Sequence, residues 1–363
     1  MRIGVNALYL IPGGVGGTEI YLRNLLPSLA GIDSRNQYFV FTNAETGSDL
    51  VPSAFTHVPL PIRAANRPAR LIYEQTSLAS ETRKHRLDVL LNPGFTAPAF
   101  PGCPNVTVFH DLQHKRHPEH FKTFDLPAWN FFLWISVKRS AMLIADSEAT
   151  REDLKRFYRV PDDKIAVAPL GAEPAFYSME RNPESFLLCV STLHPHKNLD
   201  NLLHAFAGFG KPGYKLFITG VRGFHTEQVE RTIRELGLSE SVVLTGWIER
   251  AALYDLFRRA SAMIYPSTFE GFGLPVVEAM AAGLPLACSN IEPLHSIVDG
   301  AAIEFAPDDI SGMTAAMHQL TGDTAAMVQR GRQRAEGFSW EATARKTLAA
   351  IEAGLRAESS RRS

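Results

Sequence analysis

The strongest constraint on this chain is the run Glu270-Gly271-Phe272-Gly273-Leu274-Pro275-Val276-Val277-Glu278. Two carboxylates bracket a phenylalanine that has a glycine on each side. The apolar run Ala262 to Tyr265 leads into it, and Ala279-Met280-Ala281-Ala282-Gly283 follows. A short apolar run before a glycine-rich turn predicts a strand. Good helix formers closed by a glycine predict a helix with its cap. Pro275 suits the first helical turn, where an N–H has no partner within the helix. Glu270 is therefore expected on the loop after a strand, and Glu278 about one turn inside a helix. The open amides and partial positive charge of such a helix start suit a pyrophosphate. One carboxylate can then reach a ribose hydroxyl and the other a sugar hydroxyl. An ordinary strand-to-helix turn with Glu278 on a solvated face fits the same local pattern, so the rest of the chain has to decide.

Along that chain, short apolar runs alternate with amphipathic stretches, the pattern of parallel sheets with crossover helices. In the first half, strands are predicted at Ile3 to Tyr9, Tyr38 to Thr42, Val89 to Asn92, Val106 to Phe109, Met142 to Ala145 and Ile165 to Val167. A helix from Thr18 to about Ala30 carries Ile20, Leu22, Leu25, Leu26 and Leu29 at helical spacing. In the second half, strands are predicted at Phe186 to Val190, Lys215 to Thr219, Val242 to Thr245, Met263 to Tyr265, Leu286 to Cys288 and Ala302 to Phe305. Helices are predicted at Leu199 to Phe209, Glu227 to Leu236, Ala251 to Ala260 and Pro275 to Ala282. The class is α/β, with two doubly wound units in tandem. The domains expected are 1–174 and 175–340, with 341–363 forming a last helix and a polar tail. Glu173 to Pro183, with Pro174, Asn182 and Pro183, reads as the linker.

Open α/β sheets bind ligands beyond the carboxyl ends of their strands. Gly13 to Gly17, Pro93-Gly94, His110, Lys197, Gly220, Gly246-Trp247 and Glu270 all stand at such ends. Two rims of this kind imply a cleft with a donor on one side and an acceptor on the other.

The 363 residues suffice for two cores, and the formal net charge of -1 gives no general attraction to nucleic acid. Cys103, Cys189 and Cys288 are too scattered for a disulfide framework or a zinc spacing, which fits a reducing cytoplasm. Met1-Arg2-Ile3-Gly4-Val5-Asn6 reads as a strand rather than a leader, and no apolar stretch is long enough to span a bilayer.

Beyond Glu270–Glu278, five segments recur in a telling order. They are Gly13-Gly14-Val15-Gly16-Gly17-Thr18-Glu19, His110-Asp111, Ala168-Pro169-Leu170-Gly171-Ala172, His196-Lys197-Asn198 and Phe338-Ser339-Trp340. Together they resemble the retaining glycosyltransferases of family four, which have the GT-B fold: two Rossmann-like domains facing each other across a cleft. The opening segment and His110-Asp111-Leu112-Gln113-His114 are similar to bacterial mannosyltransferases of polysaccharide assembly. The resemblance implies that Glu278 binds the ribose and that Glu270 meets the donor sugar. It implies that Lys197 and the helix start at Leu274 to Val276 hold the diphosphate, with Gly271, Phe272, Gly273 and Leu274 among the donor-binding residues. His110 would stand at the sugar, with Asp111 fixing its loop. Thr192 occupies the place of the family's usual diphosphate-binding arginine, and His196 or Arg222 are candidates to compensate. Gly246 and Trp247 would face the base. The last helix would cross back to the first domain.

Some features stay open. The glycines Gly14, Gly16 and Gly17 form either an acceptor or phosphate loop or a plain flexible turn; Glu19 stands where a dinucleotide fingerprint would have its third glycine. Trp247 either stacks on a base or packs half-buried. His114, His117 and His120 invite a metal, but Pro118 breaks any common face and no cysteine is near. The aromatic stretch Leu126 to Val137, followed by Lys138 and Arg139, reads as core, with a membrane surface as the alternative. No Asp-x-Asp occurs, so no metal and no cofactor is expected beyond the nucleoside diphosphate sugar as co-substrate. The expected function is transfer of a hexose, mannose favoured and GDP-mannose the leading donor, to a sugar or lipid-linked acceptor. A sugar-nucleotide epimerase and a noncatalytic nucleotide-sugar-binding protein are the alternatives. Nucleic acid is not an expected partner. The expected location is the cytoplasm, with peripheral contact at the inner face of a membrane.

Overall fold

The computed structural model describes residues 1–13, 16–121 and 124–362. The chain forms two compact units, Met1–Leu170 with Trp340–Ser363, and Gly171–Ser339. Each unit is built on one sheet, and every strand pairing is parallel.

The first unit has β1 (Arg2–Asn6), β2 (Gln37–Thr42), β3 (Thr56–Pro59), β4 (Val89–Asn92), β5 (Asn105–Phe109), β6 (Ser140–Ala145) and β7 (Ile165–Val167). Their spatial order is β3-β2-β1-β4-β5-β6-β7. Strands β4, β5 and β6 are buried throughout, as expected for strands covered on both faces. The helix Gly17–Ile32 buries Tyr21, Leu22, Leu25, Leu26 and Leu29. The C-terminal helix Trp340–Arg362 also packs in this unit. Its Thr343 hydroxyl donates to the Pro169 carbonyl at 2.6 Å, and the Trp340 ring meets the edge of Tyr21 at 6.0 Å.

The second unit has β8 (Phe186–Val190), β9 (Lys215–Thr219), β10 (Val242–Gly246), β11 (Ala262–Tyr265), β12 (Leu286–Ser289) and β13 (Ile303–Phe305). The order is β10-β9-β8-β11-β12-β13. Leu187, Cys189, Ile218 and Ile264 of the sheet share one core cluster with Leu199, Leu203 and Phe206 of the helix Leu199–Phe209.

In both sheets the strand order reverses once, between β1 and β4 and between β8 and β11. Connections leave such a pair in opposite directions and open a crevice at its carboxyl end. The fold thus singles out the loops after β1 and β4 in one unit and after β8 and β11 in the other.

Three expectations need correction. Strand β3 was not anticipated: it is a short edge strand whose residues are all partly or fully exposed, so it lacks an apolar run. The stretch Glu173 to Pro183, read as the linker, lies within the second unit. It holds a short helix, Pro174–Tyr177, that buries Phe176. Tyr177 donates to the Ala335 carbonyl at 3.0 Å and Arg181 to the Gly283 carbonyl at 2.8 Å, both within the second unit. The aromatic stretch is only half core. In the helix Asp125–Arg139, Leu133 and Val137 are buried, whereas Phe131 is 56% exposed and Trp134 49%.

Candidate functional site

The loops after β8 and β11 are tied together. The chain leaves β8 through Ser191 and Thr192 and makes a tight turn at Pro195–Lys197. Asn198 then adopts a left-handed conformation and donates to the carbonyls of Pro266 at 3.1 Å and Pro307 at 2.6 Å. The Thr268 amide donates to the His196 carbonyl at 2.8 Å. This frame brings Lys197 to Glu270, with Nζ 2.5 Å from Oε1. Nζ is also 3.3 Å from the hydroxyl of Tyr265, the last residue of β11. Burial first, and then the charge of Glu270, hold the Tyr265 hydroxyl well above the usual phenol range. The sequence-predicted Lys197 and Glu270 are therefore together, both nearly buried, at the switch point of the second sheet.

The helix Leu274–Ala282 starts directly beyond Glu270. Its cap, Gly273, has φ 100°, and a Cβ there would lie 2.3 Å from Leu294. Both facts require glycine. Phe272 is a core residue, 5% exposed and edge-on to Phe338 at 6.0 Å. Leu274 is buried too. The Gly271–Leu274 segment can therefore offer a ligand its backbone, not its large side chains.

Glu278 lies inside this helix with a side chain only 3% exposed. It is not solvated. Its Oε1 accepts from Arg250 Nη2 at 2.7 Å. The same guanidinium lies 3.1 Å from Glu173, which also accepts a hydrogen bond from the Tyr254 hydroxyl. Burial raises the Glu278 carboxyl above the ordinary range, and the Arg250 charge opposes it. For Arg250, burial acts downward, but Glu278 and Glu173 together hold its value up. Sequence reasoning missed Arg250. It opens the helix Arg250–Arg259 just after Gly246-Trp247-Ile248-Glu249. Its partners lie far away along the chain, and no local pattern announces the pairing.

Gly246 ends β10 with φ 69°, and its carbonyl accepts from the Gly220 amide at 3.1 Å. Trp247 is 58% exposed. Thr192 is half-buried beside this region. Arg222 forms an exposed pair with Glu230 at 2.5 Å.

In the first unit, His110 follows β5, one strand beyond the switch point. Its Nδ1 lies 2.6 Å from Asp146 Oδ2 and its Nε2 2.9 Å from the Pro93 carbonyl. A carbonyl and a carboxylate only accept, so this geometry favours a ring with both nitrogens protonated. Burial alone would lower its pKa, but Asp146 outweighs that and raises it. Both ring nitrogens of His110, expected to stand at the sugar, are thus engaged within the unit. Asp111 accepts from the Gln113 amide at 2.9 Å, fixing the loop as expected.

Gly14 lies outside the described residues, as does Val15. Gly16 caps the helix Gly17–Ile32 at φ 58°, with open space where a Cβ would be; Gly17 likewise borders open space. Glu19 accepts from the Gly13 amide at 2.7 Å and from Arg23 at 2.7 Å.

His114 is apart from the other histidines: it is buried, 2.8 Å from the Tyr158 hydroxyl, and burial pushes it down to about 4. His117, Glu119 and His120 do bring ligand atoms within 4.8 Å of one another. However, the two rings stack at 5.2 Å and 13°. Lone pairs in near-parallel stacked planes do not converge on one ion.

The model described as Glycosyltransferase Family 4 matches residues 15–176, and the one described as Glycosyl transferases group 1 matches residues 177–334. The chain belongs to this glycosyltransferase family. The glycosyltransferase is 27% identical over 262 residues to O-antigen chain mannosyltransferase B of Escherichia coli, covering 67% of this chain and 68% of that protein. Its fold is similar to that of sucrose-phosphate synthase from Thermosynechococcus elongatus, with TM-score 0.79 and 18% identity over 96% of this chain and 98% of that one. HepE of Anabaena, solved in complex with UDP-glucose, gives TM-score 0.74 at 17% identity, over 97% of this chain and 99% of that one. The fold is GT-B.

Proposed function

We propose that the enzyme is a retaining hexosyltransferase that moves mannose from GDP-mannose to a hydroxyl of a sugar or lipid-linked acceptor. The observation that carries the reading is the Lys197–Glu270 pair at the β8/β11 switch point, 2.5 Å apart, at the foot of the helix that buries Glu278. Each member of that pair matches a different part of a nucleotide sugar. Lys197 exchanges Glu270 for diphosphate oxygens, where a fixed cation offsets the charge that develops on the leaving group. Glu270 exchanges Lys197 for sugar hydroxyls. Glu278 accepts from the ribose. The mannosyltransferase named among the relatives supports mannose.

On this rim each carboxylate already has a cation, so neither is assigned as a nucleophile. In the proposed step the bond from the anomeric carbon to the phosphate oxygen breaks. The acceptor oxygen bonds the same face, and its proton passes to the departing phosphate. No metal is assigned to the step. The test is turnover with GDP-mannose, UDP-glucose, UDP-N-acetylglucosamine and ADP-glucose, with the product anomer read by NMR. GDP-mannose should give the fastest release of nucleoside diphosphate and a product with the donor's anomeric configuration. An inverted product would overturn the mechanism; preference for another donor would overturn the sugar assignment.

In this reading the enzyme works in the cytoplasm and meets its acceptor at the inner face of a membrane. No helix among the described residues is long and apolar enough to cross one. The helix Asp125–Arg139 instead turns Pro127, Phe131 and Trp134 outward together with Lys138 and Arg139. The Arg139 guanidinium lies 4.9 Å from the exposed ring of Phe100. Aromatics beside cations suit an anionic lipid surface. Vesicles rich in phosphatidylglycerol should sediment the enzyme, and neutral vesicles should not. Retention of full binding by a Phe131→Ser, Trp134→Ser double variant would contradict this contact.

A further inference from the structure

Buried Glu278 is joined to half-buried Arg250 and Glu173, and neither of those two has a role so far. Glu278 sits among Val276, Val277 and Ala279 on a helix buried almost throughout. A carboxylate in such surroundings takes up a proton more readily than in water. A protonated Glu278 has lost half of its capacity to accept hydrogen bonds. Arg250 is the charge that opposes this, with Nη2 2.7 Å from Oε1. That contact engages one carboxylate oxygen, Oε1.

The guanidinium is itself held from several sides. Glu173 receives Nε at 3.2 Å and Nη2 at 3.1 Å, and the rings of Phe176 and Tyr254 lie 5.4 and 5.3 Å from the guanidinium carbon. Glu173 precedes the helix Pro174–Tyr177 at the very start of the second unit. Its charge pushes Glu278 the opposite way from Arg250. Other charged groups on the elements around this helix act elsewhere. Arg181 and Arg332 donate to the carbonyls of Gly283 and Ala282 at the far end of the helix, and His295 pairs with Glu304 at the surface.

We propose that Arg250 is a positioning residue for nucleotide binding: it keeps Glu278 ionised and aimed, with Glu173 as the counterweight that fixes the guanidinium. This rests on the reading that Glu278 accepts from the ribose. Its signature is a pH profile. The competent form of Glu278 is deprotonated and its pKa is raised, so binding is lost as pH falls through that value. Removing Arg250 raises the value further and moves the loss to higher pH. Neutralising Glu173 moves it the other way.

The experiment is calorimetric titration of the full chain with GDP across a pH series. Each variant is referenced to wild type, so that titration of the nucleotide's own phosphate cancels. Arg250→Met should shift the pH of half-loss upward by about one unit, read as roughly tenfold weaker binding at a fixed acidic pH. Arg250→Lys, which keeps a cation, should recover most of the shift, and Glu173→Gln should shift it downward. Glu278→Gln should bind more weakly than wild type at high pH and lose the step. If Glu278→Gln weakens binding while Arg250→Met and Arg250→Lys track the wild-type profile, the positioning role is overturned and the ribose reading stands. If Glu278→Gln binds GDP as wild type does, the ribose reading fails and takes this inference with it. Thermal melts of each variant in the same buffers separate a folding defect from a binding one. Arg250→Lys carries the test if Arg250→Met does not fold.

Discussion

The two switch points of the molecule are built on the same plan and finished differently. Beyond β8 and β11, acids and bases pair with each other: Lys197 with Glu270, and Arg250 with Glu278. In the first unit, the residues on the rim are satisfied by partners that leave little to exchange. His110 is held by Asp146 and the Pro93 carbonyl, and Glu19 accepts from the Gly13 amide. An ion pair can be traded for the complementary charges of a ligand without leaving a buried charge alone. A histidine with both nitrogens committed cannot be traded as cheaply. The second rim thus holds exchangeable ion pairs, while the His110 ring of the first unit is committed to Asp146 and the Pro93 carbonyl.

The largest effect should come from the second rim. Lys197→Ala removes the cation meant for the diphosphate and leaves Glu270 without it. Turnover should fall by about two to three orders of magnitude, the usual cost of one electrostatic donor to the leaving group. Steady-state kinetics at saturating donor checks this. A loss below about threefold would erase the contrast between the rims.

The next effect belongs to the first rim and should appear in stability. The folded pKa of His110 is raised. Its contribution is therefore complete below the unfolded value of about 6.5 and is lost as pH rises through the folded value. Asp146→Asn should cost about 1–3 kcal/mol in urea unfolding at acidic pH, and less in alkaline buffer. A variant with wild-type stability at every pH would mean that His110 is not held as a cation.

How much of this was legible in the sequence depended on range. Of the switch-point strands, β4, β8 and β11 are short, apolar and bounded by turn residues, so their positions could be read to within a residue, whereas β1 ends at Asn6 and not at the expected Tyr9. Glu270, Lys197 and Gly273 stand at strand ends and a helix cap, where local chemistry is diagnostic. Strand β3 could not be read, because an edge strand with His57 and Pro59 has no apolar signature. The exposure of Phe131 and Trp134 was equally hidden: helical spacing tells which residues share a face, not whether that face is covered. Arg250 and Glu173 are joined to Glu278 by folding alone, from segments 28 and 77 residues apart for the two Arg250 bonds. The clustering that makes them a unit exists only in three dimensions.

A smaller effect should follow from Trp247, which is exposed beside the Gly246 turn. If it stacks on the base, Trp247→Ala should weaken GDP binding by about 1 kcal/mol, or several-fold. It should leave the melting temperature unchanged. A loss of stability with unchanged affinity would make it a packing residue after all. The smallest effect expected is from metal removal. Turnover in excess EDTA should equal turnover with magnesium, and a magnesium-specific loss would show that the amide-rich helix start and Lys197 do not suffice for the diphosphate.

In the proposed reading the two carboxylates of the second rim divide the donor between them. The most direct test is a pair of titrations, with GDP and with GDP-mannose, on wild type, Glu278→Ala and Glu270→Ala. Glu278→Ala should weaken both ligands equally, by about ten- to a hundredfold. Glu270→Ala should leave GDP nearly unchanged and remove the increment that the sugar adds. If GDP binds Glu278→Ala like wild type, or if Glu270→Ala weakens both ligands alike, the division is wrong.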